Sequence, residues 1–352
     1  STGTYNVLIG WRAAGSASGA GIMSSDYCVA VGYRAGYGLT TALDCTLIGR
    51  DSGVSLTTGN SNTAVGGSAL TACISGASNV AVGNSCLTAY TGGHTVAVGV
   101  SALSSQVSGT LCTAVGYRAG FVATAAGGTF LGYSAGSGVT TGQNNTIVGS
   151  SAGGTVGGSQ NVIVGRAATT AAANNYGVVI GDSASIAADS AVAIGQASSA
   201  ASANSIALGK SSSTTAASAI AIGQAASSTA ASAVAVGQGA TAGFSNSAAL
   251  GATASTTAAN QVMLGNSSIT EVTAAGVFQS NNNDAIPAGG SAAIGFKATS
   301  TADFGIYFGS GAPTLSAAKG SLYLRSDGTT TNDRAYINTN GTTTWTALTT
   351  AA

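Results

Sequence analysis

The sequence predicts an all-β solenoid, a chain wound into stacked coils, followed by a small C-terminal β domain. Three observations predict it. A short signal, three apolar or Thr residues followed by Gly, recurs seventeen times between Gly10 and Gly265. Its spacing is regular: 22 residues once, then nine steps of 16 or 17, then six of 14. The composition, with 53 Gly, two Pro and 6% charged residues, suits short strands joined by tight turns and leaves little for helices.

The repeat keeps a strict register. The residue before each motif glycine is Ile, Val or Leu in all seventeen copies, and the residue three before it is β-branched in every copy except Ala248. These two positions share one face of a strand, which reads as the inward face. The position between them is Ala in ten copies and never polar. The strand is therefore apolar on both faces, and a coil this thin covers only one of them. The second face is expected to meet another copy of the chain around a shared axis. That assigns the axis and core packing to Ala64, Ala81, Ala97, Ala193, Ala207, Ala221, Ala235, Ile147, Ile163 and Val179. Three residues after each glycine the side chain is always small: Ala, Ser or Cys86. One repeat is too short to fold alone, so stacking supplies the core. Seventeen coils at the strand spacing extend about 80 Å. The cross-section is expected to change near Gly181, where the period falls to 14.

Within this register, Asn204-Ser205-Ile206-Ala207-Leu208-Gly209, Ser218-Ala219-Ile220-Ala221-Ile222-Gly223 and Ser232-Ala233-Val234-Ala235-Val236-Gly237 resemble the head repeats of trimeric autotransporter adhesins of the YadA type. The resemblance is tightest over 178–267 and looser over 1–177. It implies a trimeric left-handed parallel β-roll with a fibrous, adhesive role. Residues 261–280 resemble the exit of such a roll into a neck. The tail departs from that family, lacking long heptads and a four-strand membrane anchor. Gly320-Ser-Leu-Tyr-Leu-Arg-Ser-Asp-Gly328 and Ala335-Tyr-Ile-Asn-Thr-Asn-Gly-Thr-Thr-Thr-Trp345 instead resemble the C-terminal ends of bacteriophage tail-fibre and tail-spike proteins. The expected division is a roll of 16–17-residue coils over 1–177, a roll of 14-residue coils over 178–267, a neck and linker over 268–290, and a β cap over 291–352. In the cap, Ser291-Ala-Ala-Ile-Gly295 echoes the repeat, Leu322 and Leu324 alternate with Tyr323 and Arg325, and Asp327-Gly328 and Asn340-Gly341 are hairpin-turn dipeptides.

Composition narrows the function. Ten basic and ten acidic residues give no net charge and no broad basic patch, which argues against nucleic acid as a partner. Mean hydropathy is +0.35, yet the apolar runs are three to five residues long, against about 20 for a spanning helix, so no membrane insertion is expected. With no initiator Met and no signal-peptide pattern, Ser1 is expected to be a cloning or processing boundary.

Few residues carry chemistry. Gly132-Tyr-Ser-Ala-Gly136 and Gly149-Ser-Ser-Ala-Gly153 match a nucleophile elbow, but both fall in the repeat register, and His94 is the chain's one histidine. The acids before Gly265 are scattered, so neither a catalytic site nor a metal or cofactor site is expected. Cys28, Cys45 and Cys112 sit four before a motif glycine, where Asn is the commonest alternative. Cys28 and Cys45 belong to successive coils, within disulfide range, or else simply fill a tight site. Trp11-Arg12, Tyr33-Arg34 and Tyr117-Arg118 directly follow motif glycines, with Tyr37, Phe121 and Tyr133 nearby. These nine residues form either a structural ladder along the coils or contacts for a glycan or other receptor. An ice-binding solenoid needs Thr in register on a flat strand face, whereas the Thr pairs at 40–41, 57–58, 140–141 and 214–215 fall in turns. The expected function is a non-enzymatic homotrimeric fibre of a bacteriophage, tail or head, extracellular on the virion. Its partners would be other virion proteins and a host-surface glycan or protein receptor. The alternative is the passenger of a trimeric adhesin on a bacterial surface.

Overall fold

The computed structural model describes residues 3–15, 24–124, 126–171, 173–269, 294–298, 304–330 and 332–349. The chain divides into two compact units, Ser1–Val272 and Thr273–Ala352. No helix occurs among the described residues, and none is long and apolar enough to cross a membrane.

The first unit is a parallel β-solenoid. Each of the seventeen motifs forms one three-residue strand, from Val7–Ile9 to Val262–Leu264. Successive strands pair in parallel with the repeat positions in register, as in Ile206↔Ile220, Ala207↔Ala221 and Leu208↔Ile222. The motif glycines stack on one another. Gly209 has φ 131°, and a Cβ there would lie 2.5 Å from the Gly223 carbonyl oxygen. Glycine is thus required both by conformation and by the close approach of the next coil.

Two further corners wind each short coil, and both place non-glycine residues in the left-handed region. One lies two residues after the glycine (Ser183, φ 55°; Ser211, φ 55°), the other five before it (Asn204, φ 56°; Ser218, φ 56°). Each costs roughly 1 kcal/mol or more in an L-residue. Bonds between coils offset it, with Ser211 N–H donating to Gln196 O at 2.8 Å and Ser218 N–H to Ala203 O at 3.1 Å.

The strands face the opposite way from the sequence expectation. The middle residue points into the coil of its own chain. Ala64, Ala81, Ala97, Ile147, Ile163, Val179, Ala193, Ala207, Ala221 and Ala235 are all 0% exposed within a single chain. The flanking residues face outward, and Ile48, Val96, Leu131, Val162, Ile180 and Ile222 are all more than a third exposed. The reason is width. A coil of 14–17 residues admits one side chain per strand, so the interior selects Ala and the bulkier β-branched residues are displaced outside. The middle row therefore supplies the core of the single chain and cannot be a contact between copies. Only the end coils differ: Leu8 is 42% exposed and Met263 half-buried.

The small residue three after the glycine packs into the same interior. Ala35, Cys86, Ala102 and Ala135 are fully buried, and the hydroxyls of Ser52, Ser198 and Ser212 bond back to the motif glycine carbonyl at 2.9–3.0 Å. The long coils fill the rest with large side chains, among them Leu39, Leu56, Leu70, Leu87, Leu103, Tyr90 and Phe130. From Thr169 onward a second parallel sheet of two-residue strands replaces that filling, running through Ser185–Ile186, Ser199–Ala200, Ser213–Thr214 and Ser227–Ser228 to Thr241–Ala242.

The second unit holds a five-stranded mixed sheet: Ile294–Ala298, Phe304–Gly309, Leu322–Arg325, Ala335–Asn338 and Trp345–Ala347. Ile294–Ala298 pairs antiparallel with Phe304–Gly309, so the repeat echo at Gly295 is an ordinary sheet strand and not a coil. The segments carrying Asp327-Gly328 and Asn340-Gly341 each connect antiparallel neighbours. Tyr307, Tyr323 and Ala317 are its buried core, with Trp345 edge-on to both tyrosines. The neck expected over 268–290 lies almost wholly outside the described residues.

Candidate interaction surface

The outward strand face runs through all seventeen strands of the solenoid. Two residues from each of seventeen strands form two parallel rows, three before and one before the glycine. Both rows are Val, Ile or Leu, apart from Ala248 and the outward Thr46, Thr63, Thr113, Thr129 and Thr146. Threonine is therefore not confined to the turns. Its row is broken by Val80 and Val96 and gives way to aliphatic residues in the short coils, unlike the unbroken Thr rank an ice-binding face requires. Contiguous apolar surface of this extent is rare on a monomer and marks a contact site.

The aromatic and arginine residues that follow the glycines lie on exposed corners. Trp11 and Tyr33 stack with ring centroids 5.1 Å apart and planes 13° from parallel. Tyr117 and Tyr133 stack at 5.2 Å and 15°. All four rings are 45–58% exposed. The Arg12 guanidinium lies 4.5 Å from the Trp11 centroid and 5.7 Å from that of Tyr37. Arg34 lies 5.2 Å from Tyr37, and Arg118 lies 4.2 Å from Phe121. The nine residues thus gather into two clusters, one on the first two coils and one on the seventh and eighth. Within each stack the facing ring surfaces are spent on each other, and Arg12 sits over Trp11 besides. What remains open to a ligand is ring edges and guanidinium N–H groups. A third stacked pair, Tyr5 on Tyr27 at 5.1 Å, escaped the sequence analysis. Its signal is present, since both residues stand five before a motif glycine.

Inside the coil, four before the glycine, runs a polar row. Asn79 N–H donates to Asn62 Oδ1 at 3.0 Å, Asn161 N–H to Asn145 Oδ1 at 2.9 Å, and Gly177 N–H to Asn161 Oδ1 at 2.8 Å. The Asn62 amide donates to Gly76 O at 2.8 Å. Each asparagine thereby supplies a buried backbone donor with its acceptor. Cys28 and Cys45 occupy the same row as free thiols. The Cys28 thiol donates to Ala42 O at 3.5 Å and the Cys45 thiol to Gly59 O at 3.4 Å; interaction between the two neighbouring thiols lowers Cys28 and, with burial, raises Cys45. Burial pushes Cys86 up to about 12.

The residues weighed for catalysis do not converge. His94 lies on the corner before Val96–Val98, and Ser134 follows Thr129–Leu131 two coils later. Among the described residues no group of three or more His, Cys, Asp or Glu could hold a metal ion. In the C-terminal unit Arg325 is held by Asp327 at 2.9 Å and by the Tyr336 hydroxyl at 3.4 Å. The Arg325 guanidinium and the Gly311 N–H together hold the Asp327 carboxyl down to about 2.

No family model matches the chain, and no curated protein matches it. Among solved structures, the collagen-binding domain of the Yersinia adhesin YadA is similar at 24% identity, with a TM-score of 0.34 over 42% of this chain and 80% of that one. The parallel solenoid rests on the strand pairing above and not on this likeness.

Proposed function

We propose that the protein is a structural, adhesive fibre component that assembles as a homotrimer through the outward strand face and attaches a particle or cell to a surface. The observation that carries this reading is the unpartnered double row of Val, Ile and Leu. Fully covering one such side chain stabilises by roughly 1.5–3 kcal/mol, and the face offers 28 of them over seventeen strands. Even partial cover exceeds the ~4–15 kcal/mol cost of association. A second copy is the fitting occupant because its face has the same coil spacing and is equally apolar. A closed assembly about one axis hides all copies of the face at once.

The likeness of residues 320–345 to tail-fibre ends favours a bacteriophage fibre, located on the virion and bound to other virion proteins. The repeat motif taken alone equally suits the passenger of a bacterial surface adhesin. Fluorescently labelled full chain separates the two. A phage fibre gives saturable binding to bacterial cells, whereas a bacterial adhesin binds animal cells or matrix. Saturable binding to neither overturns the attachment reading.

A further inference from the structure

We infer that the two arginine–aromatic corners are binding sites for an acidic polysaccharide, with Arg12 and Arg118 as the anion-binding groups. The inference rests on the adhesive reading above and supplies its ligand chemistry.

The solenoid unit's arginines fall into two kinds. Arg50 pairs with Asp51 at 2.8 Å, Arg166 with Asp182 at 2.7 Å, and Arg34 faces Asp51 at 3.6 Å. Arg12 and Arg118 have no carboxylate partner among the described residues and are exposed. Each instead lies against a ring, Arg12 on Trp11 with Tyr37 beyond it and Arg118 on Phe121. A guanidinium over an aromatic ring is attracted to the ring face while its planar N–H donors stay unspent on any carboxylate. It is fixed in place and can bind a carboxylate or sulfate through two parallel bonds without first losing side-chain freedom. Beside each one stands a stacked pair of exposed rings, Trp11–Tyr33 or Tyr117–Tyr133, whose free edges suit the mixed polar and apolar surface of a sugar.

Repetition favours a polysaccharide over a small anion or a peptide. In both corners a ring and an arginine hold the first and second positions after a motif glycine, and that ring stacks on its counterpart in the next coil; the ring beneath the arginine differs, Trp11 in one and Phe121 in the other. The two corners are six coils apart along one continuous ladder, about 29 Å at the strand spacing. A polymer with charges at regular intervals engages both, and the second contact is then intramolecular.

The test is binding of heparin, a sulfated uronic-acid polysaccharide, to the full chain, with neutral dextran and poly-glutamate as comparison probes. Arg12→Gln with Arg118→Gln is expected to weaken heparin binding about tenfold or more. Arg50→Gln with Arg166→Gln, the same loss of charge, is expected to change it less than about twofold. Arg12→Lys with Arg118→Lys keeps the charge and loses the planar fork, and is expected to weaken binding about fivefold or more. Equal weakening by the two Gln pairs would reduce the effect to net charge and overturn the inference. So would poly-glutamate binding as tightly as heparin, which would assign the corners to an acidic peptide. Absence of heparin binding by a chain that assembles and attaches to cells would sink this inference and leave the fibre reading standing. Loss of assembly in the Gln pair without loss of heparin binding would place the corners in the subunit contact instead.

Discussion

The coils before Gly181 and those after it build the same strand from the same residue types, yet fill the space beside it differently. In the long coils, turns carry Leu56, Leu70, Leu87 and Leu103 into the interior, beside strand residues as large as Phe130, and all are at most 1% exposed. In the short coils the corresponding interior is Ala200, Thr214, Ser228 and Ala242, arranged as a second hydrogen-bonded sheet. The long coils therefore carry a hydrophobic core of their own. The short coils rest on backbone ladders, close packing of small residues and whatever covers their outward Val and Ile rows. The outward face is the constant feature of both regions, which is what an assembly surface running the full length of the solenoid requires.

The motif glycine is the element that both regions share. Gly209→Ala places a Cβ 2.5 Å from the Gly223 carbonyl at φ 131°, and is expected to cost about 3 kcal/mol or more. Gly154→Ala, with nothing within 4 Å of its Cβ, is expected to be neutral within about 0.5 kcal/mol. Urea melts of the two variants read the difference directly.

Next come the features that set the regions apart. Phe130→Ala empties a fully packed long coil and is expected to cost about 3–5 kcal/mol. Ser205→Ala in a short coil removes its bond to Ser202 O and the one it accepts from the buried Thr214 hydroxyl, and is expected to cost about 1–2 kcal/mol. If the two variants melt alike, the division of labour between the regions is wrong. Asn145→Ala lies between them. It orphans the buried Asn161 N–H, with an expected loss of about 1–3 kcal/mol.

The smallest effect belongs to the C-terminal unit. Asp327 titrates near 2 in the folded state against an ordinary 3.8. A carboxyl whose folded value is depressed contributes stability that is present above 3.8 and is lost as pH falls through 2. Tryptophan fluorescence of Trp345 should therefore report a modest acid loss in that window. Asp327→Asn should remove that step and leave the solenoid unchanged.

Much of this architecture was legible in the sequence, because the strand register, the glycine stack and the small interior residues each repeat seventeen times. The direction of the strand was misread. Apolar bulk at the flanks of each motif suggests an interior, but a coil this thin has room only for the Ala between them, and width is not written in any single repeat. The mutual stacking of Trp11 on Tyr33 was one of two open readings, because register places residues in line without saying whether their rings face each other. The stacking of Tyr5 on Tyr27 was hidden because the position five before the glycine holds mostly small polar residues in the other coils, so two tyrosines there do not stand out as a row. The antiparallel pairing of Ile294–Ala298 was hidden by a chance match to the motif.

The mass of the assembled protein in solution tests the central claim most directly. The account predicts a species of three times 33.2 kDa at micromolar concentration, dispersed to single chains when Val192, Ile206 and Ile220 are each replaced by Lys. A stable, well-folded single chain of 33.2 kDa at that concentration, with its Val and Ile rows open to water, would contradict it.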